Sequence, residues 1–264
     1  MTTIRVWFVV GVNDLRLRPV HYASVSGGKD SLFMLGLILS KPEKYPLDMV
    51  VNFDLEIEWD IAKNVVKMME ERCKDAGIKF VRIKPRRTWN ELYEKWGFPN
   101  GPGRWCNSSY KLDCKSQLNK WIKEQNCRPV AYIGFCADEV KRFKYNVGQE
   151  DWHIQDVCYP LAEEGISEKS ILAWAREQPI FDGYYNVLDR MGCMACPMAT
   201  MLEWAYFLKR EPQKYKEAIE RIEETEKMVA EKGRAYKFKG LTAKQFDDRI
   251  RNKWTKKLNE VYHV

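Results

Sequence analysis

The six residues Ser26-Gly27-Gly28-Lys29-Asp30-Ser31 constrain the fold of this chain more than any other stretch. They join a short β-prone run, Val20 to Val25, to an apolar run of good helix formers, Leu32 to Leu39, which stops before Pro42. A strand that feeds a helix through glycines gathers backbone N–H groups and the positive end of the helix dipole at one point. Lys29 adds a point charge there, so the turn suits a phosphate. It is not a Walker A loop. The first glycine of that motif would fall at Ala23, and Asp30 follows Lys29 where a Ser or Thr should hold magnesium.

Downstream, strands and helices keep alternating. Asp48 to Phe53 reads as a second strand ending at Asp54. Asp60 to Ala76 is amphipathic, with Ile61, Val65, Met68, Met69, Arg72 and Cys73 on helical spacing and Gly77 as its cap. Lys79 to Ile83 reads as a third strand, stopped by Pro85; a helix over 107–125 and a strand over 130–135 follow. Strands separated by helices predict an α/β fold, a doubly wound and mostly parallel sheet with helices on both faces. The stretch 98–103 is a loop by composition. Residues 144–200 read as irregular, aromatic and cysteine-bearing. From Met201 to Lys232 the pattern is helical with one break at Pro212, and a basic helix follows from Thr242 to Val261. The expected division is an α/β domain over 1–150, a cysteine-bearing segment over 151–210 and a basic helical extension over 211–264.

Composition removes several classes. With 10 Trp, 13 Tyr and 11 Phe the chain is not mainly disordered, and at 264 residues it can bury a core without disulfides. No window approaches the roughly 18 apolar residues of a membrane span, so no membrane partner is expected. The run from Ile4 to Val12 carries Arg5 and lacks a cleavage site, so it reads as a strand rather than a signal peptide. The expected compartment is the cytoplasm, where the 8 Cys serve as thiols or metal ligands. Residues 1–208 hold 28 basic and 27 acidic side chains, residues 209–264 hold 16 and 10. The positive excess therefore lies in the last fifth of the chain, where it favours polyanion contact.

Cys193-x-x-Cys196, flanked by Gly192 and Pro197, has a metal-ligand or redox spacing. It does not open a strand-to-helix unit, which weakens the redox reading. A second such pair is missing, and His21, His153 and His263 have no zinc spacing, so a four-ligand zinc site would need scattered ligands.

The glycine loop closely resembles that of the PP-loop ATP pyrophosphatases, the adenine nucleotide α-hydrolase-like superfamily. Later residues resemble its phosphoadenosine phosphosulfate reductase-like branch: Arg104-Trp105-Cys106 with Lys111; Gly134 with Asp138, Glu139 and Arg142; Tyr159-Pro160-Leu161; and Gly192 through Pro197. The resemblance covers roughly residues 20 to 210 and rests on the order and spacing of these motifs together. It implies a five-stranded parallel sheet that binds an adenine nucleotide, ATP or a relative, at its C-terminal edge. Ser26, Gly27, Gly28, Lys29, Asp30 and Ser31 would hold the phosphates, with Lys29, Asp30 and Ser31 the catalytic members. Asp54 would lie near the nucleotide or its Mg²⁺, Asp138 would join the nucleotide site, and Arg104 and Arg142 would clamp anions. Cys106 would join Cys193 and Cys196 around a [4Fe–4S] cluster, with zinc as the alternative.

The other cysteines stay open. Cys114 lies roughly 12 Å from Cys106 if both share one helix, too far for comfort, so it qualifies as a fourth ligand only if the helix begins after Cys106. Cys136 stands where the family segment usually carries an arginine; it is a fourth ligand, a sulfur carrier or a buried small hydrophobe. Cys73, Cys127 and Cys158 read as structural.

Sulfonucleotide reductases, as the resemblance implies, attack with a cysteine near a mobile C-terminus and usually carry degenerate loops. Here the loop is complete and no cysteine follows Cys196. The sulfate adenylyltransferase small subunit has the full loop but not the three-cysteine set. The expectation is thus an ATP-dependent sulfur-transfer enzyme similar to the DNA phosphorothioation enzyme or the cluster-bearing tRNA thiolases. It would release pyrophosphate, adenylate an acceptor and let sulfur displace AMP. Expected partners are nucleic acid, held by the basic C-terminal helices, and a sulfur-donor protein; a homodimer is left open. Two contrasting readings are a non-catalytic adenine-nucleotide sensor and a reductase with Cys136 as nucleophile.

Overall fold

The computed structural model describes residues 17–101, 103–139, 141 and 156–262. The predicted strand over 4–12 and Arg142 lie outside them. Five strands form one sheet: β1 (Arg18–Val25), β2 (Met49–Phe53), β3 (Lys79–Ile83), β4 (Cys127–Tyr132) and β5 (Asp156–Cys158), in the order β3-β2-β1-β4-β5. Every neighbouring pair is parallel, and parallel neighbours need crossover connections rather than tight hairpins. Tyr22 in the central strand pairs with Met49 on one side and Ala131 on the other.

Parallel sheets bury both faces, and the strands show it. One face gathers Val20, Tyr22, Met49, Val51 and Ala131 against Leu118 and Ile122 of the helix α4 (Leu112–Glu124). The residues between them, Ala23, Val25 and Val50, are equally sealed. The chain runs outward through β2 and β3, then returns across β1 to β4. Strand order therefore reverses between β1 and β4, the place where such sheets bind ligands.

Two compact units are built from interleaved segments. The first holds the sheet, with residues through Phe53, Asn64–Ile83 and Lys115–Ile180. The second comprises Asp54–Lys63, Lys84–Cys114 and the chain from Phe181 onward. Its core is aromatic: the Trp204 ring meets Phe207, Tyr215, Phe238 and Phe246 edge-on, at 5.0 Å from Phe246, geometry that suits the ring quadrupoles. The helical extension is present as Met201–Arg210, Pro212–Ala230, Ala243–Arg249 and Thr255–Tyr262. Among the described residues no helix is long and apolar enough to cross a membrane.

Several boundaries move. Helix α1 (Lys29–Ser40) begins three residues earlier than its apolar run, so Lys29, Asp30 and Ser31 form its first turn. The fourth strand ends at Tyr132 because the chain folds over there, with the Phe135 N–H donating to the Ile133 carbonyl at 2.9 Å. Its start at Cys127 is set by pairing with Arg18, and Pro129 falls before β5 begins to pair at Val130. Helix α3 (Trp89–Trp96) was not anticipated, although Thr88 and Glu91 form a reciprocal capping box that is readable as T-x-x-E. The stretch expected to be irregular holds β5 and the helices Pro160–Glu163, Glu168–Arg176 and Tyr184–Val187. Among its described residues the longest run without helix or strand is 188–200.

Glu164 ties the end of α1 to the turn after Pro160–Glu163, accepting from Lys41, Lys44 and Tyr45. Those donors, the Lys41 hydrogen bond foremost, hold its carboxyl at about 2. A depressed carboxyl stabilises the fold above its unfolded value and loses that effect as pH falls through the folded one. Urea midpoints should therefore drop between pH 4.5 and 2, and Glu164→Gln should flatten the drop.

Candidate active site

The glycine loop lies at the switch point that the sheet order defines. The Ser31 hydroxyl accepts the Ser26 N–H at 3.0 Å and lies 3.0 Å from the Ser26 hydroxyl, closing the loop on itself. Gly28 caps α1 in an extended conformation and sets no side chain over the first-turn N–H groups, which leaves the helix end shaped for an anion. Lys29 is 1% exposed. Its Nζ lies 3.2 Å from Asp30 Oδ2 and 3.5 Å from Glu168 Oε1, because a buried ammonium requires counter-charge. Asn52, also buried, donates from Nδ2 to the Val25 carbonyl at 3.1 Å and ties the end of β1 to β2.

The segment after β4 closes on this loop. A Cβ on Gly134 would come within 3.2 Å of the Asp30 carbonyl oxygen, so glycine permits the approach. Cys136 is fully buried, its Sγ 3.7 Å from Asp30 Oδ1, and its N–H donates to Glu139 Oε2 at 2.9 Å. Burial foremost, then the Asp30 and Glu139 carboxylates, push this thiol well up. It is a neutral donor to Asp30, and a nucleophile would have to be a thiolate. Asp138 uses both carboxylate oxygens on the Glu168 N–H, at 2.9 and 3.2 Å. It thereby serves the start of helix Glu168–Arg176, where negative charge is favourable.

The second unit gathers the other site residues. Asp54, directly after β2, lies 3.8 Å from Lys84 Nζ. The helix carrying Cys106 opens with a wide π-type turn, Cys106–Lys111, and runs on into α4. Cys114 thus shares one helical run with Cys106; burial pushes its thiol up to about 12, and it is fully enclosed. That removes the condition under which it could be a fourth ligand.

Cys106, Cys193 and Cys196 lie within electrostatic reach of one another. The Cys106 thiol is pushed up first by burial and next by Cys196, with Arg104 opposing. Cys193 is pushed up to about 12, again chiefly by burial; Lys111 opposes, while Cys196, Glu58 and Cys106 add. The turn between the paired cysteines is fixed by its backbone. Met194 N–H donates to Ile57 O at 2.9 Å, and Ala195 adopts a left-handed φ of 52°, a conformation costing a non-glycine residue about 1 kcal/mol. The Trp204 indole N–H donates to the Cys196 carbonyl at 3.2 Å. Trp105 is anchored by its indole N–H on the Gly97 carbonyl at 3.0 Å and by Trp89, 4.6 Å away. Among the described residues, no three His, Cys, Asp or Glu donors converge closely enough to hold one metal ion.

No family model matches the chain. An uncharacterized protein of Methanocaldococcus jannaschii is 26% identical over 196 residues, which is 69% of this chain and 42% of that protein. The chain thus spans about two fifths of the length of this curated relative. Among solved structures, the U34-tRNA thiolase NcsA from Methanococcus maripaludis with its [4Fe–4S] cluster aligns over 96% of this chain and 76% of its own, with 16% identity and a TM-score of 0.43.

The Gly134 contact yields a direct expectation. A Val side chain there must displace the Asp30 carbonyl, which is held in the first turn of α1, so Gly134→Val should cost about 1–3 kcal/mol. Chemical denaturation would measure it, and an unchanged midpoint would contradict the close approach.

Proposed function

We propose that this chain is a PP-loop enzyme that cleaves ATP between its α- and β-phosphates, adenylates an acceptor and takes part in sulfur transfer to nucleic acid. The observation that carries this reading is the self-closed Ser26–Ser31 loop at the first turn of α1, at the β1/β4 switch point, with Lys29 buried in its floor. A helix N-terminus and an ammonium set where pyrophosphate would depart stabilise charge that grows only in the transition state. An acceptor oxygen attacks the α-phosphorus, the bond to the β-phosphate oxygen breaks, and its electron pair leaves on pyrophosphate. A sulfur nucleophile then attacks the acceptor and the bond to AMP breaks. By the resemblance, Asp54 would serve the nucleotide or its Mg²⁺ and Arg104 and Arg142 would bind anionic oxygens, while Asp138 would act through the helix start whose Glu168 N–H it accepts.

The donor set at Cys106, Cys193 and Cys196 is all sulfur, with no histidine at a zinc spacing beside it, and thiolates of this kind suit a [4Fe–4S] cluster, with zinc as the alternative. A [4Fe–4S] group held by three thiolates would leave one iron to bind sulfur, and that is the chemistry it would supply. Cys136, neutral and buried, gives no support to the reductase reading.

Two tests bear on separate parts. Lys29→Ala should lower pyrophosphate release from ATP by about 100-fold or more; release at the parent rate overturns the adenylation step. Protein purified without oxygen should be brown with about four irons per chain, and Cys193→Ala should bleach it. Stoichiometric zinc in place of iron would overturn the cluster assignment.

A further inference from the structure

The positive excess of the C-terminal region is concentrated further than its total shows. Residues 232–257 hold ten basic and two acidic side chains, and both acidic ones, Asp247 and Asp248, lie after residue 246. The first part, 232–239, is therefore a strap with four cations and no carboxylate. Lys232, Arg234 and Lys237 are exposed.

The strap is built, not loose. The Tyr236 hydroxyl donates to the Phe98 carbonyl at 3.1 Å, and Asn100 Nδ2 donates to the Lys237 carbonyl at 2.7 Å. Phe238 is fully buried, 5.4 Å from the Trp204 ring and 5.0 Å from Phe246. Phe238 and Leu241 exchange both backbone hydrogen bonds, at 2.9 and 3.0 Å, around Lys239 and Gly240, whose φ values are 52° and 78°. Two positive φ angles between such a pair make a type I′ turn, and its first position does not favour a lysine. The turn brings the Lys239 ammonium within electrostatic reach of Cys196. Trp204 joins the two elements directly: its ring packs on Phe238 of the strap while its indole N–H holds the Cys196 carbonyl.

We infer that the strap 232–239 is the surface that receives the phosphodiester backbone of a nucleic-acid strand, with Lys232, Arg234 and Lys237 contacting successive phosphates and Lys239 leading to the Cys196 thiol. Charge complementarity selects the occupant, because cations on a pre-ordered backbone release counterions from a polyanion without first paying to order themselves. The inference rests on the nucleic-acid acceptor of the proposed function and assigns it to a surface, distinct from the terminal helices.

The test is fluorescence anisotropy of the whole 264-residue chain, purified anaerobically, with a labelled RNA stem-loop and a labelled DNA duplex. Lys232→Ala/Arg234→Ala/Lys237→Ala should weaken binding to the preferred probe about tenfold or more near 0.1 M salt and reduce the salt slope by about 2. The charge-keeping Lys232→Arg/Lys237→Arg should bind as the parent does. Lys253→Ala/Lys256→Ala/Lys257→Ala, on the terminal helices, should weaken binding less. Parent-like binding by the strap triple, an equal or larger loss in the helix triple, or no binding of either probe by the parent overturns the assignment. The assay needs neither ATP nor turnover. If pyrophosphate release persists while strap binding fails, the surface alone falls; if Lys29→Ala releases pyrophosphate normally while strap binding holds, adenylation alone falls.

Discussion

An ammonium held almost entirely out of water is the constraint around which the sheet-bearing unit is arranged. Lys29 is 1% exposed and both Asp30 and Glu168 reach its side-chain nitrogen, since isolating an ion in a poorly polarisable interior is costly. That requirement connects distant pieces of chain. Glu168 opens a helix whose first N–H is held by Asp138, and Asp138 follows the β4 turn that glycine at 134 allows to approach Asp30. Cys136 adds a thiol donor to the same carboxylate. The parallel pairing of β1 with β4 brings these groups together, and a helix beginning at Lys29 supplies the N–H groups that make the place fit for a phosphate.

In the second unit the organising contact is Trp204. Its ring sits at the centre of the aromatic core, and its one polar atom is spent on the Cys196 carbonyl. The position of the C-x-x-C turn is thereby set by hydrophobic packing, while Met194 and the strained Ala195 set its shape. A flexible thiol pair would have to be ordered at each encounter with a ligand; one held by a packed indole is ordered when the unit folds. The wide turn Cys106–Lys111 carries Cys106 at its start and Lys111 at its end, and Lys111 opposes the burial that pushes the Cys193 thiol up.

The legible parts of the sequence were those with local causes. The runs at Val20, Asp48 and Lys79, the amphipathic spacing of Ile61, Val65 and Met69, and the cap at Gly77 follow from side-chain period and backbone freedom, and the structure has them at nearly the same residues. Errors arose where tertiary contacts decide. Apolar Ile133 and Phe135 looked like strand, yet the chain turns there to meet α1. The helices between 160 and 187 are short and aromatic-rich, so periodicity had too few turns to show. Asp138 was read only for a nucleotide, and the Glu168 N–H that it accepts is visible in the fold alone.

By itself the sequence determined the alternation of strands and helices, the phosphate-suited loop and the Cys193-x-x-Cys196 pair, because residue type, spacing and glycine placement act over a few residues; Cys106 joins that pair only through the resemblance. The tertiary structure decided what those groups do to one another. Folding buried Lys29 against Asp30 and Glu168 and made Cys136 a neutral donor, one continuous helical run removed Cys114 from contention, and the packing of Phe238 on Trp204 tied a basic strap to the element that holds the Cys196 carbonyl. Solvent exclusion and electrostatic reach depend on distances between segments far apart in the chain, and no local pattern encodes those distances.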